Sequence, residues 1–297
     1  MHARLSHNFE LLAAGAARLP AVTGAALYGR GVFTVVALRG GRAFLWPQHW
    51  ARLAAHAERA GVRLAALDEA AVGAELLRLV EANDVERGLA RVALLARTGR
   101  GAWRAAARAD DELETDLLIT TTDAPAEPDA GYALTLSPYR VNTHAPLTGL
   151  KCVSYLDAVL AREEAHARDF DEAVRLNERG EVVSATTANL FWVAHGTVYT
   201  PALSTGALAG TARACVLELA AELAYPVVEG VFDLAHLGDA DEIFLTSASL
   251  GVGLVTTYDF HRYSVPAGSV ALRLREAYRQ RALQDPDADD VRQEPTY

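Results

Sequence analysis

The stretch TTDAPAEPDAG, residues 121–131, constrains the fold more than any other part of the chain. It holds two prolines and no apolar periodicity, a combination that suits neither a helix interior nor a central strand. On either side of it, β-rich runs alternate with helical patterns. The chain is therefore expected to form a small α+β domain at residues 1–120, a linker at 121–131, and a larger domain at 132–283. A disordered tail at 284–297 follows, where DPDADDVRQEPTY is acidic, polar and interrupted by proline.

Local signals fill in the first domain. Residues 25–46 read as two β-rich runs around an Arg-Gly-Gly turn, a hairpin signal. Pro47 then opens a helix that carries Trp50, Leu53 and Ala54 at helical spacing and stops at Gly61. A second helix is expected over 68–84, with strands at Ala90–Ala96 and Leu117–Thr122. Past the linker, YALTLSPYR is strand-like, and a helix over Ser154–Ala167 places Tyr155, Leu156, Val159 and Leu160 on one face. AVRLN and EVVS form a hairpin, ATTA leads into the strand NLFWV, and TPALSTGALAGTAR precedes a helix through Val216, Leu217 and Leu219. Strands EIFLT and LVTTY flank the turn SASLGVG near residues 242–258.

Charge and composition exclude several classes of function. A net charge of −10 argues against a phosphate-backbone grip on nucleic acid, which needs a clustered excess of cations. No apolar run approaches the roughly 18 residues of a membrane span, and the first twenty residues lack a continuous apolar core of the secretory type. A cytoplasmic protein acting on small molecules is the expectation. Cys152 and Cys215 have neither CxxC spacing nor a companion histidine cluster, so no disulfide framework and no metal site are expected. His49, His144 and His195 likewise lack ligand spacing and read as surface or capping residues.

One residue count narrows the chemistry. Of 28 cationic side chains, a single one, Lys151, is lysine. Arginine replaces lysine wherever a solvated positive charge suffices, but it forms no Schiff base and is never deprotonated in practice. The flanking sequence PLTGLKCVSYL is uncharged for several residues on both sides, unlike a solvated face. A lone reactive amine calls for a carbonyl partner, and pyridoxal phosphate is the commonest. Its phosphate would find backbone N–H groups and the Thr211 hydroxyl at the helix start in GALAGTAR, and a second hydroxyl-rich cluster in the turn SASLG.

The collinear series GRGVFTV, HWARL, RTGRG, GLKCVSYLDAVLAREEA, DEAVRLNERGEVVSATTANLFWV, YTPALSTGALAGTAR and EIFLTSASLGVGLV, from about residue 25 to 258, resembles the class IV pyridoxal-phosphate aminotransferases. That family includes branched-chain and D-amino-acid aminotransferases and aminodeoxychorismate lyase. The resemblance implies a two-domain α+β fold of type IV, D-amino-acid aminotransferase-like, and a homodimer. It implies that Lys151 forms the Schiff base and shuttles the substrate proton, and that Arg52 pairs with the cofactor phosphate. It further implies that Gly210, Thr211 and Ala212 with Ser247 and Ala248 make the rest of the phosphate cup. Ala212 and Ala248 stand where relatives usually carry threonine. Tyr155, Phe33 and Thr34 fall in segments that face the cofactor and substrate, and Arg97 falls where several members place an arginine near the substrate carboxylate.

Ser184 is the largest departure. Relatives carry a glutamate there that salt-bridges the pyridine nitrogen, whereas serine offers a hydrogen bond without charge. Glu181, three residues earlier on the same strand, is expected to point to the opposite face. The implied activity is pyridoxal-phosphate-dependent transamination between a small amino acid or amine and a keto acid. The alternatives are aminodeoxychorismate lyase-type elimination and a catalytically weakened cofactor binder.

Overall fold

The structure, a computed structural model, describes residues 1–64, 67–97, 114–126, 128 and 131–284. Apart from Gln284, the expected tail lies outside the described residues, as do Arg100 and Arg104 of the RTGRG region. The chain forms two units. Unit 1 comprises Met1–Ala124, Leu150–Ser154 and the chain from Ala282, and unit 2 comprises Pro125–Gly149 and Tyr155–Arg281.

Unit 1 is built from β1 (Arg4–His7), β2 (Glu10–Ala13), α1 (Gly24–Tyr28), β3 (Gly31–Arg39), β4 (Arg42–Ala43), α2 (Trp46–Ala60), α3 (Glu69–Ala82), β5 (Arg87–Ala96) and β6 (Thr115–Asp123). The strands form one antiparallel sheet in the order β2-β1-β6-β5-β3-β4. The β3–β4 turn needs a left-handed backbone at both central positions, and Gly40 and Gly41, at φ +57° and +71°, supply it without steric cost. α2 starts with Pro47 in its first turn and ends at Gly61 as its sequence signals dictate. Asp68 caps α3 by accepting from the Ala71 N–H at 2.8 Å. Residues 25–28, expected as strand, are helical in α1, whose N-terminus the Thr23 hydroxyl caps. Leu53, Ala57, Val72, Leu76 and Leu79 pack on Val32, Val36, Val92 and Leu94 to form the core.

The five residues Leu150–Ser154, which follow the linker in sequence, belong to unit 1 because they pair with β3. Cys152 bridges Val32 antiparallel, Phe33 N–H donates to the Lys151 carbonyl at 3.0 Å, and Val153 N–H donates to the Gly31 carbonyl at 2.9 Å. Leu150 and Cys152 join the core. Alternation therefore turns Lys151 away from it.

Unit 2 contains β7 (Tyr132–Leu136), α4 (Leu156–His166), β8 (Glu172–Leu176), β9 (Val182–Ala185), β10 (Asn189–Ala194), β11 (Thr197–Pro201), α5 (Thr211–Glu222), β12 (Val227–Gly230), α6 (Leu234–Gly238), β13 (Glu242–Ser247), β14 (Gly251–Tyr258), β15 (His261–Arg262) and most of α7 (Val270–Gln284). Its mixed sheet runs β12-β11-β10-β13-β14-β7-β8-β9, with β15 beside β14. The β7–β8, β7–β14 and β11–β12 pairs are parallel. The face Leu134, Val174, Leu176, Val182, Ala185, Leu190 and Trp192 closes one core.

α4 packs through its small residues. Its small residues Ala158, Ala161 and Ala165 are buried, while Leu156, Val159 and Leu160 are 64%, 42% and 46% exposed. Alanine lets the helix sit close to the sheet, and its larger apolar face is left outward within a single chain.

Candidate active site

In unit 1, Lys151 is anchored by its own backbone. Its N–H donates to His56 Nδ1 at 3.1 Å, so that nitrogen carries no proton and the buried ring is a neutral Nε2–H tautomer. Burial, and then the charges of Arg52, Arg59 and Lys151, push the His56 pKa down to about 4, which keeps this acceptor intact at neutral pH. The lysine amine lies 4.6 Å from the centre of the Phe33 ring, and the Arg91 guanidinium carbon lies 3.6 Å from the same centre. Desolvation, reinforced by Arg52 and Arg91, pushes the Lys151 pKa from 10.5 down to about 7. At neutral pH about half of such an amine is unprotonated, against a negligible fraction of an ordinary lysine.

Arg52, on α2, donates from Nη2 to Thr34 Oγ1 at 3.0 Å. Arginine only donates, so the Thr34 hydroxyl accepts there, and it also shares a hydrogen bond with His49 Nδ1 at 2.6 Å. His49 is thus buried and neutral rather than a surface residue, and burial holds its pKa well below the ordinary histidine value. His144 and His195 are exposed as expected. The structure separates the three residues that the sequence grouped toward the substrate. Phe33 shares a face with Arg91 and the lysine amine, whereas Thr34 is wholly buried on the helix side with its hydroxyl committed. Arg97 follows β5 with Nε 3.6 Å from the buried Asp116 carboxylate. Arg91 had no sequence signal, since its role depends on the register that sets it diagonal to Phe33 across β3 and β5.

In unit 2, Gly210 caps α5 without any side-chain hydrogen bond. A Cβ at 210 would stand 2.1 Å from Asn189 Oδ1, so only glycine fits beside this asparagine, whose Nδ2 donates to the Leu208 carbonyl at 2.8 Å. Thr211 and Ala212, the first helical residues, are buried. Asn189 pairs with Thr246 across β10 and β13, which sets the α5 start near the turn after Ser247. There Ser247 Oγ lies 2.9 Å from Ser249 Oγ and accepts from the Leu250 N–H, with Ala248 between them half-buried. Thr246 Oγ1 is buried with no hydrogen-bond partner among the described residues. A helix start without a side-chain cap, a glycine whose Cβ would meet Asn189 and a buried Thr246 hydroxyl with no partner among the described residues are features that suit a phosphate.

Ser184, on β9, donates its hydroxyl proton to the Ala185 carbonyl at 2.8 Å. The expected opposition of Glu181 and Ser184 is corrected by a β-bulge. Arg175 pairs with Ser184 but Leu176 pairs with Val182, so Val183 is an extra residue and side-chain parity shifts past it. Glu181 therefore lies on the Ser184 side of the sheet. It is nonetheless spent, accepting from Arg179 Nη2 at 2.6 Å and Asn177 Nδ2 at 2.7 Å. Glu172 was invisible to pattern reading. Its buried carboxylate accepts from the backbone N–H and hydroxyl of both Thr186 and Thr187 and fixes the ATTA loop. Tyr155 stands at the N-cap of α4.

Residues 31–258 match the amino-transferase class IV family, and the chain belongs to that family. It is similar to an aminodeoxychorismate lyase from Vibrio harveyi, 34% identical over 149 residues, which are 50% of this chain and 55% of that protein. The matched segment thus spans about half the length of that relative. Its fold is similar to 4-amino-4-deoxychorismate lyase from Pseudomonas aeruginosa, with a TM-score of 0.79, 29% identity, and coverage of 95% of this chain and 99% of that one. It also resembles the T.th. branched-chain amino acid aminotransferase with pyridoxamine 5'-phosphate, at a TM-score of 0.85 and 23% identity over 98% of both chains. The fold is that of the two-domain type IV enzymes.

Proposed function

We propose that the protein is a pyridoxal-phosphate-dependent enzyme that transfers the amino group of a small amino acid or amine to a keto acid, with Lys151 as its reactive amine. The desolvated Lys151 amine carries this assignment, because it is the single lysine and is half-deprotonated near pH 7. When bound, pyridoxal phosphate supplies an aldehyde for amine condensation and a ring that draws electrons from the substrate Cα. The chain's own residues do the rest. Lys151 Nζ holds the cofactor and, once freed, takes the proton from Cα. His56 fixes the lysine backbone, and Phe33 and Arg91 border its amine. Arg52 supplies charge for the phosphate, while Gly210, Thr211, Ala212, Ser247 and Ala248 supply amides and hydroxyls. Ser184 and Tyr155 border the ring, and Arg91 and Arg97 are the candidates for a substrate carboxylate.

A lyase-type elimination is the second reading, favoured by Ser184 and by the engagement of Glu181 with Arg179 and Asn177. Without a free carboxylate on that face the ring is a weaker electron sink, which suits substrates that expel a leaving group. Visible spectra of the cofactor-loaded protein against a panel of amino donors separate the readings. Conversion to the amine form supports the aminotransferase, product release without conversion supports the lyase, and an unchanging spectrum supports a weakened binder. The working form in this reading is a cytoplasmic homodimer. The exposed Leu156, Val159 and Leu160 support the self-association, which sedimentation of wild type against Leu160→Glu tests.

A further inference from the structure

Arg175, on β8, stands directly across from Ser184 on β9. Residues so paired project from the same face, with Cβ atoms about 4.5–5.5 Å apart. Val174, Leu176, Val182 and Ala185 turn into the core, so Arg175 and Ser184 share the opposite face. Arg175 is half-buried, its Nε is buried without a hydrogen-bond partner, and no carboxylate ion-pairs with it among the described residues. Buried N–H groups without an acceptor are rare in folded proteins, and one beside a candidate cofactor site points to an acceptor that the chain itself does not provide. Of the acceptors nearby, the Ala185 carbonyl takes the Ser184 hydroxyl and Glu181 holds Arg179 and Asn177, while the exposed Asp157 carboxylate acts on Arg175 through its charge without an ion pair.

We propose that Arg175 faces the ring nitrogen of pyridoxal phosphate, donates a hydrogen bond to its lone pair and keeps it unprotonated. This rests on the assignment of Ser184 to the ring-nitrogen end of the cofactor. A protonated ring would place a second positive charge against the guanidinium, and like charges at such range disfavour protonation. Burial lowers the basicity of Arg175, while Asp157 and Tyr155, the ionisable groups that act on it, raise it by less; the guanidinium remains a cation throughout the physiological range. In this reading the chain supplies both an amine that can lose its proton and a cation that keeps the ring nitrogen from gaining one. Loss of the Cα proton then depends more on the acidity of the substrate itself, which favours amines bearing an electron-withdrawing or departing group.

The test uses the protein loaded with pyridoxal phosphate labelled with nitrogen-15 at the ring. The nuclear magnetic resonance shift of that nitrogen should hold its unprotonated value from about pH 6 to 9 in wild type. It should move to the protonated value in Arg175→Leu/Ser184→Glu, which exchanges the cation for an anion. Wild type should also bind pyridoxal phosphate roughly ten- to a hundredfold more tightly than the analogue with C–H in place of the ring nitrogen, a preference that Arg175→Leu abolishes. A protonated wild-type nitrogen, or equal wild-type affinity for both compounds, overturns the proposal, and neither result needs a variant that folds. Borohydride reduction and peptide mapping keep the two levels apart. An adduct on Lys151 with a protonated ring removes only the role of Arg175, whereas no adduct on Lys151 overturns the cofactor assignment and this proposal with it.

Discussion

Lys151 in unit 1 and Arg175 in unit 2 are both withdrawn from water, and burial lowers the basicity of each. The same physical cause has opposite chemical results. The amine falls from 10.5 to about 7, so its unprotonated form, the one a nucleophile needs, is populated at neutral pH, with Arg52 and Arg91 adding to the effect. The guanidinium starts so high that the same direction of shift leaves it charged. Desolvation thus makes one cation reactive and leaves the other as a fixed charge, a distinction that a count of positive residues cannot draw.

The largest expected effect tests the amine. Lys151→Arg keeps the charge and removes the reactive nitrogen, so borohydride reduction should leave no pyridoxyl adduct on any side chain, and turnover should be lost. An adduct surviving in that variant would end the assignment. Arg52→Ala should weaken pyridoxal phosphate binding by about 1.5–3 kcal/mol, with a smaller effect on pyridoxal, which lacks the phosphate. Equal losses for both compounds would place Arg52 away from the phosphate.

On the unit 2 side, the contrast requires that no free carboxylate share the Arg175 face. Glu172→Gln leaves donors of Thr186 or Thr187 facing an amide, and urea unfolding should register a loss of about 1–3 kcal/mol. An unchanged midpoint would mean that the ATTA loop is held by other contacts.

The smallest effects are on pH dependence. The rate at which Lys151 captures the cofactor aldehyde should rise with pH and level off above about 7, instead of climbing toward 10.5. Arg52→Gln should move that midpoint upward, and Arg91→Gln should do so by less, following the order in which the two charges act. Folded cofactor-free protein binds fewer protons at Lys151 than unfolded chain does between about 7 and 10.5, so this group makes stability rise with pH across that window. His56 does the same between about 4 and 6.5, and its contribution is lost as the pH falls through that range. A capture rate still rising steeply at pH 9 would show an ordinary lysine.

Much of the architecture was legible because it is written in local chemistry. Pro47 and Gly61 bound α2, Asp68 caps α3, and Gly40–Gly41 turn β3 into β4, each through contacts within a few residues. Lys151 was legible for a different reason, since a unique amine needs no geometry to be singled out. Residues 25–28 were misread locally, since the Thr23 cap makes them helical, whereas another misreading turned on a partner distant in sequence. His49 looked like a surface residue until Thr34 buried and bonded it.

The sequence by itself determined most of the element types, the single lysine and a serine at 184, because each depends on residue identity or short-range backbone preference. Tertiary structure alone decided that the amine titrates near 7, that Glu181 lies on the Ser184 side but is spent elsewhere, and that Arg175 stands opposite Ser184 with an unpaired N–H. Desolvation, strand register and a single-residue bulge are properties of how distant segments meet, and one inserted residue inverts every face assignment beyond it.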